Sequence, residues 1–226
     1  YEITTRLVGS EMCIRDRLSA LDMLCLVILV IMQTLAAMKM AMKNKLLEQR
    51  AYTDAHTGLP NKSACEALLR DQNMIIEPTA CIMFDLNNLK TVNDTMGHLA
   101  GDRLIMNFSR LLRSVIPDKD FVGRYGGDEF MAVIYHTGKT EIGELLQSLS
   151  REKDRLNSNE DQIPIDYACG WAHSMDEGTC TLQMLLDKAD SYMYENKQLC
   201  KKCNLCSRQG TQLSNDFRTF FMGVEP

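Results

Sequence analysis

Arg124-Tyr125-Gly126-Gly127-Asp128-Glu129-Phe130 is the stretch on which the reading of this chain turns. Apolar runs flank the glycine pair, residues 121–125 before it and 130–135 after, so the stretch reads as the tip of a β-hairpin. Two glycines at such a tip permit positive φ and remove side chains, so a bulky ligand such as a triphosphate can lie against the main chain. Asp128 and Glu129 then place negative charge where a hard cation would sit. The alternative is an ordinary tight hairpin whose acids serve solubility.

Outward from the hairpin, strand and helix patterns alternate. Residues 79–84 (TACIMF) suit a central strand, and Asp85 closes the run, so its carboxylate should emerge at the end of a buried strand. Mg²⁺ prefers one or two protein carboxylates together with phosphate and water oxygens. Asp85 and Asp128 on neighbouring strands would meet that need, with turn capping as the alternative for Asp85 and a solvated surface for Lys90. The segment Asn93-Asp94-Thr95-Met96-Gly97-His98-Leu99-Ala100-Gly101-Asp102 offers amide and carboxylate groups complementary to the edge of guanine. Turn and helix-cap chemistry explains such residues equally well on their own, and His98 reads as structural.

Asn61 is placed to cap a helix running through Leu69, and residues 99–115 have helical periodicity. Ile142, Leu145, Leu146 and Leu149 mark a second helix, and residues 182–199 a third, with Leu185, Ala189 and Met193 on one stripe. Ile163, Ile165, Tyr167 and Cys169 alternate as a strand. This order predicts an α+β, palm-like and ferredoxin-like domain over residues 53–206, with a central antiparallel-containing sheet flanked by helices.

Residues 18–38 are strongly apolar, and the uncharged run 23–38 spans about 24 Å as a helix against a hydrocarbon core of roughly 30 Å. We read residues 18–38 as a transmembrane helix, with a buried soluble helix as the alternative. Lys39, Lys43, Lys45 and Arg50 follow, which puts the C-terminal part in the cytoplasm. Residues 39–52 read as a linker helix. Residues 1–17 (YEITTRLVGSEMCIRDR) show no clear period, resemble a translated adapter remnant and are set aside as non-native. Residues 207–226 form a tail in which 217–222 suit a closing edge strand.

A net charge of -5 argues against binding a nucleic-acid backbone. Nine cysteines, an odd number spread along the chain, do not make a disulfide scaffold and read as reduced thiols. Cys200, Cys203 and Cys206 form C-x₂-C-x₂-C without an evident fourth ligand, so we read them as free thiols on a basic tail.

Together these residues resemble, in order and spacing, the GGDEF family of diguanylate cyclases. Thr53-Asp54-Ala55-His56-Thr57-Gly58-Leu59-Pro60-Asn61-Lys62 is similar to the family's opening segment. The stretch from Asp85 to Asp102 is similar to its metal and guanine stretch, and Ala189-Asp190-Ser191-Tyr192-Met193-Tyr194-Glu195-Asn196-Lys197 to its late helix. The resemblance implies a nucleotidyl-cyclase palm in which Asp85, the Leu86 carbonyl and Asp128 hold Mg²⁺ or Mn²⁺. Asp85, Asp128 and Glu129 would form the catalytic set. Asn93 and Asp102 would read guanine, Lys90 and Lys197 reach phosphates, and Gly126 and Gly127 lie against the substrate.

The implied reaction joins two GTP into cyclic di-GMP by attack of a 3′-hydroxyl on an α-phosphate, with pyrophosphate leaving. It requires a homodimer, here anchored in the inner (cytoplasmic) membrane with its catalytic domain in the cytoplasm. A degenerate domain that binds GTP or a cyclic dinucleotide without catalysis is the main alternative, and a cyclase acting on a single nucleotide a weaker one. Three departures from the family stand out. Asn87 replaces a second aspartate. Cys200-Lys201-Lys202-Cys203 replaces Gly-Arg-Asn-Arg, with Lys201 standing in for an arginine. The product-inhibition motif Arg-x-x-Asp reads Pro117-Asp118-Lys119-Asp120.

Overall fold

The computed structural model describes residues 2–70, 74–159 and 162–207, and within them the side chains of 22–198 except 46, 48 and 49. The chain divides into two compact units, Tyr1–Ala51 and Tyr52–Pro226.

The first unit is one helix, α1 (Glu2–Tyr52). It runs unbroken through residues 2–17, where the sequence shows no period but also carries no proline to stop a helix. The part Asp22–Tyr52 is long and apolar enough to cross a membrane, its most apolar 18-residue stretch having a mean hydropathy of 2.1. Its apolar side chains are exposed on every side, as a helix solvated by hydrocarbon would present them. Thr34 Oγ1 donates to the Ile31 carbonyl at 2.8 Å, so its hydroxyl is satisfied within the helix.

The second unit is built on a four-stranded antiparallel sheet, β2 (Phe121–Arg124), β3 (Glu129–Tyr135), β1 (Thr79–Leu86) and β4 (Tyr167–His173) in spatial order. Around it lie α2 (Lys62–Leu69), α3 (Leu89–Met96), α4 (His98–Val115), α5 (Lys139–Asn157), the single turn α6 (Ser174–Glu177) and α7 (Leu182–Ser207). β1 is buried throughout, which explains its uninterrupted apolar run. Strand periodicity divides its side chains between two cores. Ala80, Ile82, Phe84 and Leu86 pack with Leu104, Phe108, Leu112, Ile142 and Leu149 of α4 and α5. Cys81 and Met83 pack with Cys65 of α2 and with Leu185, Ala189 and Met193 of α7. The same parity assigns Asp85 to the α7 side.

Gly170 sets how closely α7 approaches. A Cβ there would overlap the main chain of Met193 and Ala189, so the helix rests on bare β4 backbone. One turn on, Asn196 Nδ2 donates to the Cys169 carbonyl at 2.8 Å. Burial raises the Cys65 and Cys81 thiols to about 12, which keeps both protonated and inert at neutral pH.

Several element boundaries differ from the sequence-based expectation. The helix expected over 99–115 begins at His98, and a separate α3 precedes it, broken off by Gly97 at φ 83°. Ile163 and Ile165 lie outside β4, and the Asn157 side chain bonds both the N–H and the carbonyl of Ile165, taking the place of a strand ladder. Asp128 stands on the loop before β3 rather than on a strand. The expected edge strand at 217–222 falls outside the described residues.

Residues 52–61 fold back on themselves through Asp54 N–H to Leu59 O at 2.7 Å and Asn61 N–H to Tyr52 O at 2.9 Å. Asp54 Oδ1 accepts from both the N–H and the hydroxyl of Thr57, and Arg124 Nη1 lies 3.1 Å from Asp54 Oδ2. Burial raises the Asp54 carboxyl, but the Thr57 hydrogen bonds and the Arg124 charge outweigh it and hold the group below its ordinary value of 3.8. A carboxylate with a depressed folded pKa adds stability above the unfolded value and loses it as pH falls through the folded one. Asp54→Ala should therefore cost about 2–4 kcal/mol at pH 7, because Arg124 is left half-buried and unpaired. The difference from wild type should narrow only below about pH 4. Urea denaturation followed by the fluorescence of Trp171, the single tryptophan, measures both quantities.

Candidate active site

The ends of β1 and β3 converge on a cluster of acids. Asp85 is 7% exposed, and the strand register pairs it with Glu129. The next residue, Leu86, donates its N–H to the Asp128 carbonyl at 2.8 Å. Three residues distant in sequence are thus fixed by sheet hydrogen bonds rather than by flexible side chains. Lys197 of α7 reaches in, with Nζ 2.5 Å from Asp85 Oδ2, while Asp85 Oδ1 is buried with no hydrogen-bond partner. Burial raises the Glu129 carboxyl above its ordinary range, the charges of Asp128, Asp85 and Asp190 raise it further, and Lys197 opposes them. Crowded carboxylates with an unpartnered buried oxygen fit a hard divalent cation, which seeks such oxygens and relieves their repulsion. Among the described residues no three or more His, Cys, Asp or Glu side chains form a metal-holding group, so any cation here would complete its shell with main-chain, substrate or water oxygens.

Neither glycine of the hairpin tip occupies the left-handed region that the sequence suggested. What a side chain would meet differs between the two. A Cβ on Gly126 would overlap the Glu129 carboxylate, and one on Gly127 would meet nothing, which leaves open space beside the main chain. The Tyr125 and Gly126 N–H groups both donate to the Glu129 carbonyl, at 2.9 and 3.0 Å. Arg124 holds the loop from below: Nη2 donates to the Gly127 carbonyl at 2.8 Å while Nη1 bonds Asp54. Sequence reasoning missed this role, although Arg124 stands inside the decisive heptapeptide and Asp54 inside the opening segment.

Beyond β1 the chain turns sharply at Asn88, whose φ is 62°, and enters α3. Asn87 Nδ2 donates to Asp166 Oδ2 at 3.0 Å. Asn93 on α3 is half-buried, and its side chain fills the space that a Cβ on Gly101 would take. Helices α3 and α4 therefore bring Asn93 against the Gly101-Asp102 turn. His56 Nδ1 lies 4.0 Å from Asp102 Oδ1, a neighbour that sequence spacing did not suggest. Lys90 is exposed on the first turn of α3, and His98 is exposed at the start of α4. The side chains of Lys201, Cys200, Cys203 and Cys206 lie outside the described residues.

Upstream of the hairpin, Pro117 is exposed and its carbonyl accepts from the Asp120 N–H at 3.0 Å. Asp120 turns inward, where Oδ1 accepts from the Tyr135 N–H at 3.0 Å and Oδ2 is buried without a partner.

Comparison with known proteins agrees with this geometry. Residues 51–203 match the family model for the diguanylate cyclase GGDEF domain. The chain is 32% identical over 161 residues to the signaling protein YkoW of Bacillus subtilis, covering 68% of this chain and 20% of that protein. It is 29% identical over 170 residues to a diguanylate cyclase of Vibrio cholerae, covering 74% of this chain and 53% of that one. The chain thus spans between a fifth and about half of the length of these relatives. Among solved structures, a microbial GGDEF domain described in its interaction with bis-(3,5)-cyclic di-GMP superimposes with a TM-score of 0.57. It is 29% identical and is matched over 67% of this chain and 93% of its own. With the sheet, the glycine loop and the family match all coinciding on one segment, the chain belongs to the GGDEF diguanylate cyclase family.

Proposed function

We propose that this chain is an active diguanylate cyclase, condensing two GTP into cyclic di-GMP with release of pyrophosphate. The observation that carries the reading is the register that locks Asp85, Leu86, Asp128 and Glu129 at one sheet end, with an unpartnered Asp85 oxygen among them. In this reading Asp85, the Leu86 carbonyl and Asp128 hold Mg²⁺ or Mn²⁺. Such a cation, when bound, would polarise phosphate oxygens and favour a deprotonated hydroxyl. The protein's own part is orientation. Gly126 and Gly127 let the triphosphate approach the main chain, Lys197 and Lys90 neutralise phosphate charge, and Asn93 and Asp102 select guanine. Glu129, with its raised pKa, is suited to hold or pass a proton near the nucleophile. One such site per chain and two GTP per product require two domains facing each other as a homodimer.

A second reading, a GTP or cyclic-dinucleotide binding module without turnover, is favoured by one observation. α7 continues as helix through residues 200–203, where the resemblance calls for Gly-Arg-Asn-Arg. Incubating the full chain in detergent with GTP and Mg²⁺, then separating products by chromatography, distinguishes the two. Cyclic di-GMP is the expected product, and retained GTP binding without any product would establish the module instead. Asp85→Ala and Asp128→Ala should each lower turnover about a thousandfold or more while the domain stays folded, so wild-type rates in either would sink the metal assignment.

We place the chain in the inner (cytoplasmic) membrane through residues 18–38, with the catalytic domain in the cytoplasm, on the strength of the exposed apolar side chains of 23–38 and of Lys39, Lys43, Lys45 and Arg50 that follow. Membrane fractionation should leave the full chain in the pellet after a high-salt wash and release it with detergent. Full recovery in the soluble fraction would contradict the anchor.

Product control should be absent. Pro117 offers no donor where the family's motif has arginine, and Asp120 is committed to the Tyr135 main chain. Initial rates should barely fall when micromolar cyclic di-GMP is added. Inhibition that is non-competitive with GTP in the unmutated chain would refute this.

A further inference from the structure

Lys197 holds a place at Asp85 that the proposed metal would need. Its ammonium sits 2.5 Å from Asp85 Oδ2, and its surroundings are otherwise acidic, with Asp128 and Asp190 close enough to help raise the Glu129 carboxyl. The two partners differ in mobility. Asp85 is 9% exposed in its side chain and bound into β strands on both sides, so it stays where it is. Lys197 is 28% exposed, on a four-carbon stem past the middle of α7, so it can swing. An ammonium and a divalent cation on one carboxylate repel each other strongly in a half-buried site.

We infer that Lys197 is an exchanging counter-ion that couples metal binding to nucleotide binding: in the empty site it neutralises Asp85, and in the loaded site it leaves that carboxylate for the nucleotide's phosphates. This rests on the reading that Asp85 is a metal ligand. A metal arriving alone must displace the ammonium and leave it without an anion. A metal arriving with a triphosphate supplies the new anion at the same time. Metal and nucleotide therefore favour each other's binding, and by linkage the effect is reciprocal.

The test titrates Mn²⁺ alone into the EDTA-stripped full chain in detergent at pH 8, reading free Mn²⁺ by electron paramagnetic resonance. Lys197→Met should bind Mn²⁺ at least about fivefold more tightly than wild type, because the competing cation is gone. Lys197→Gln provides a second neutral variant should the methionine protein fail to fold. Lys197→Arg, which keeps the charge, should bind as weakly as wild type. With 3′-deoxy-GTP, which cannot react, the order should reverse, and the neutral variants should bind the Mn²⁺–nucleotide complex more weakly than wild type. Equal or weaker Mn²⁺ affinity in the neutral variants overturns the exchange. Asp85→Asn separates this from failure of the parent reading: unchanged Mn²⁺ binding there would remove the metal from Asp85 altogether.

Discussion

Asp85 sits one residue from the end of β1, paired across the sheet with Glu129 on one side and Ala168 on the other, and almost closed to water. A carboxylate so placed calls for a cation beside it. The rest of the second unit is arranged around that requirement. Strand parity turns Asp85 toward α7, Gly170 lets α7 lie directly on β4, and the helix then carries Lys197 to the carboxylate. A side chain at position 170 would lift α7 from the sheet and draw Lys197 away from the acid. The close approach of α7 to β4 and the placing of a cation at Asp85 are therefore parts of one solution.

The hairpin tip is held by a different device. Its glycines are freed from side chains, so the loop needs an external support, and Arg124 supplies it by gripping the Gly127 carbonyl and Asp54 together. Residues 52–61, the first of this unit, are thereby tied to the loop that lies beside Asp85. Arginine suits the task because one planar group serves two acceptors at fixed angles, which a lysine could not do.

How far the sequence alone could lead depends on whether a feature is local. The apolar run ending in Asp85 announced a buried strand with an acid at its mouth, and the glycine pair announced the hairpin, because both signals lie within a few residues. The break between α3 and α4 was missed because Gly97 interrupts a pattern that stays amphipathic on both sides. Ile163 and Ile165 alternate like a strand, yet Asn157 satisfies the Ile165 backbone first, a competition invisible without the preceding helix. At the site, Asp85, Asp128, Glu129 and Lys197 were named from motif order. The Lys197–Asp85 contact spans 112 positions and depends on Gly170, so spacing could not reveal it. Glycine at 126 permits positive φ, but the backbone there does not use it, and a Cβ would instead meet the Glu129 carboxylate three residues later.

Glu129 shows what such an arrangement costs. Its folded pKa lies above the ordinary range because burial and three neighbouring acids disfavour its charge. For an acid the sign is unfavourable: below the unfolded pKa the group adds no penalty, and as pH rises toward neutrality the ionised folded state becomes less stable than it would be with the acid in water. A fold selected for stability alone would replace one of these acids. Keeping them together stores repulsion at the end of two rigid strands, where side-chain rearrangement can relieve little of it. A bound cation would relieve it directly, so on the proposed reading part of the metal's affinity comes from the removal of an unfavourable state already built into the empty domain. Lys197 relieves the repulsion only partly, being a single charge on a single oxygen. On the proposed reading, that incomplete neutralisation is what leaves the carboxylates able to take a divalent ion.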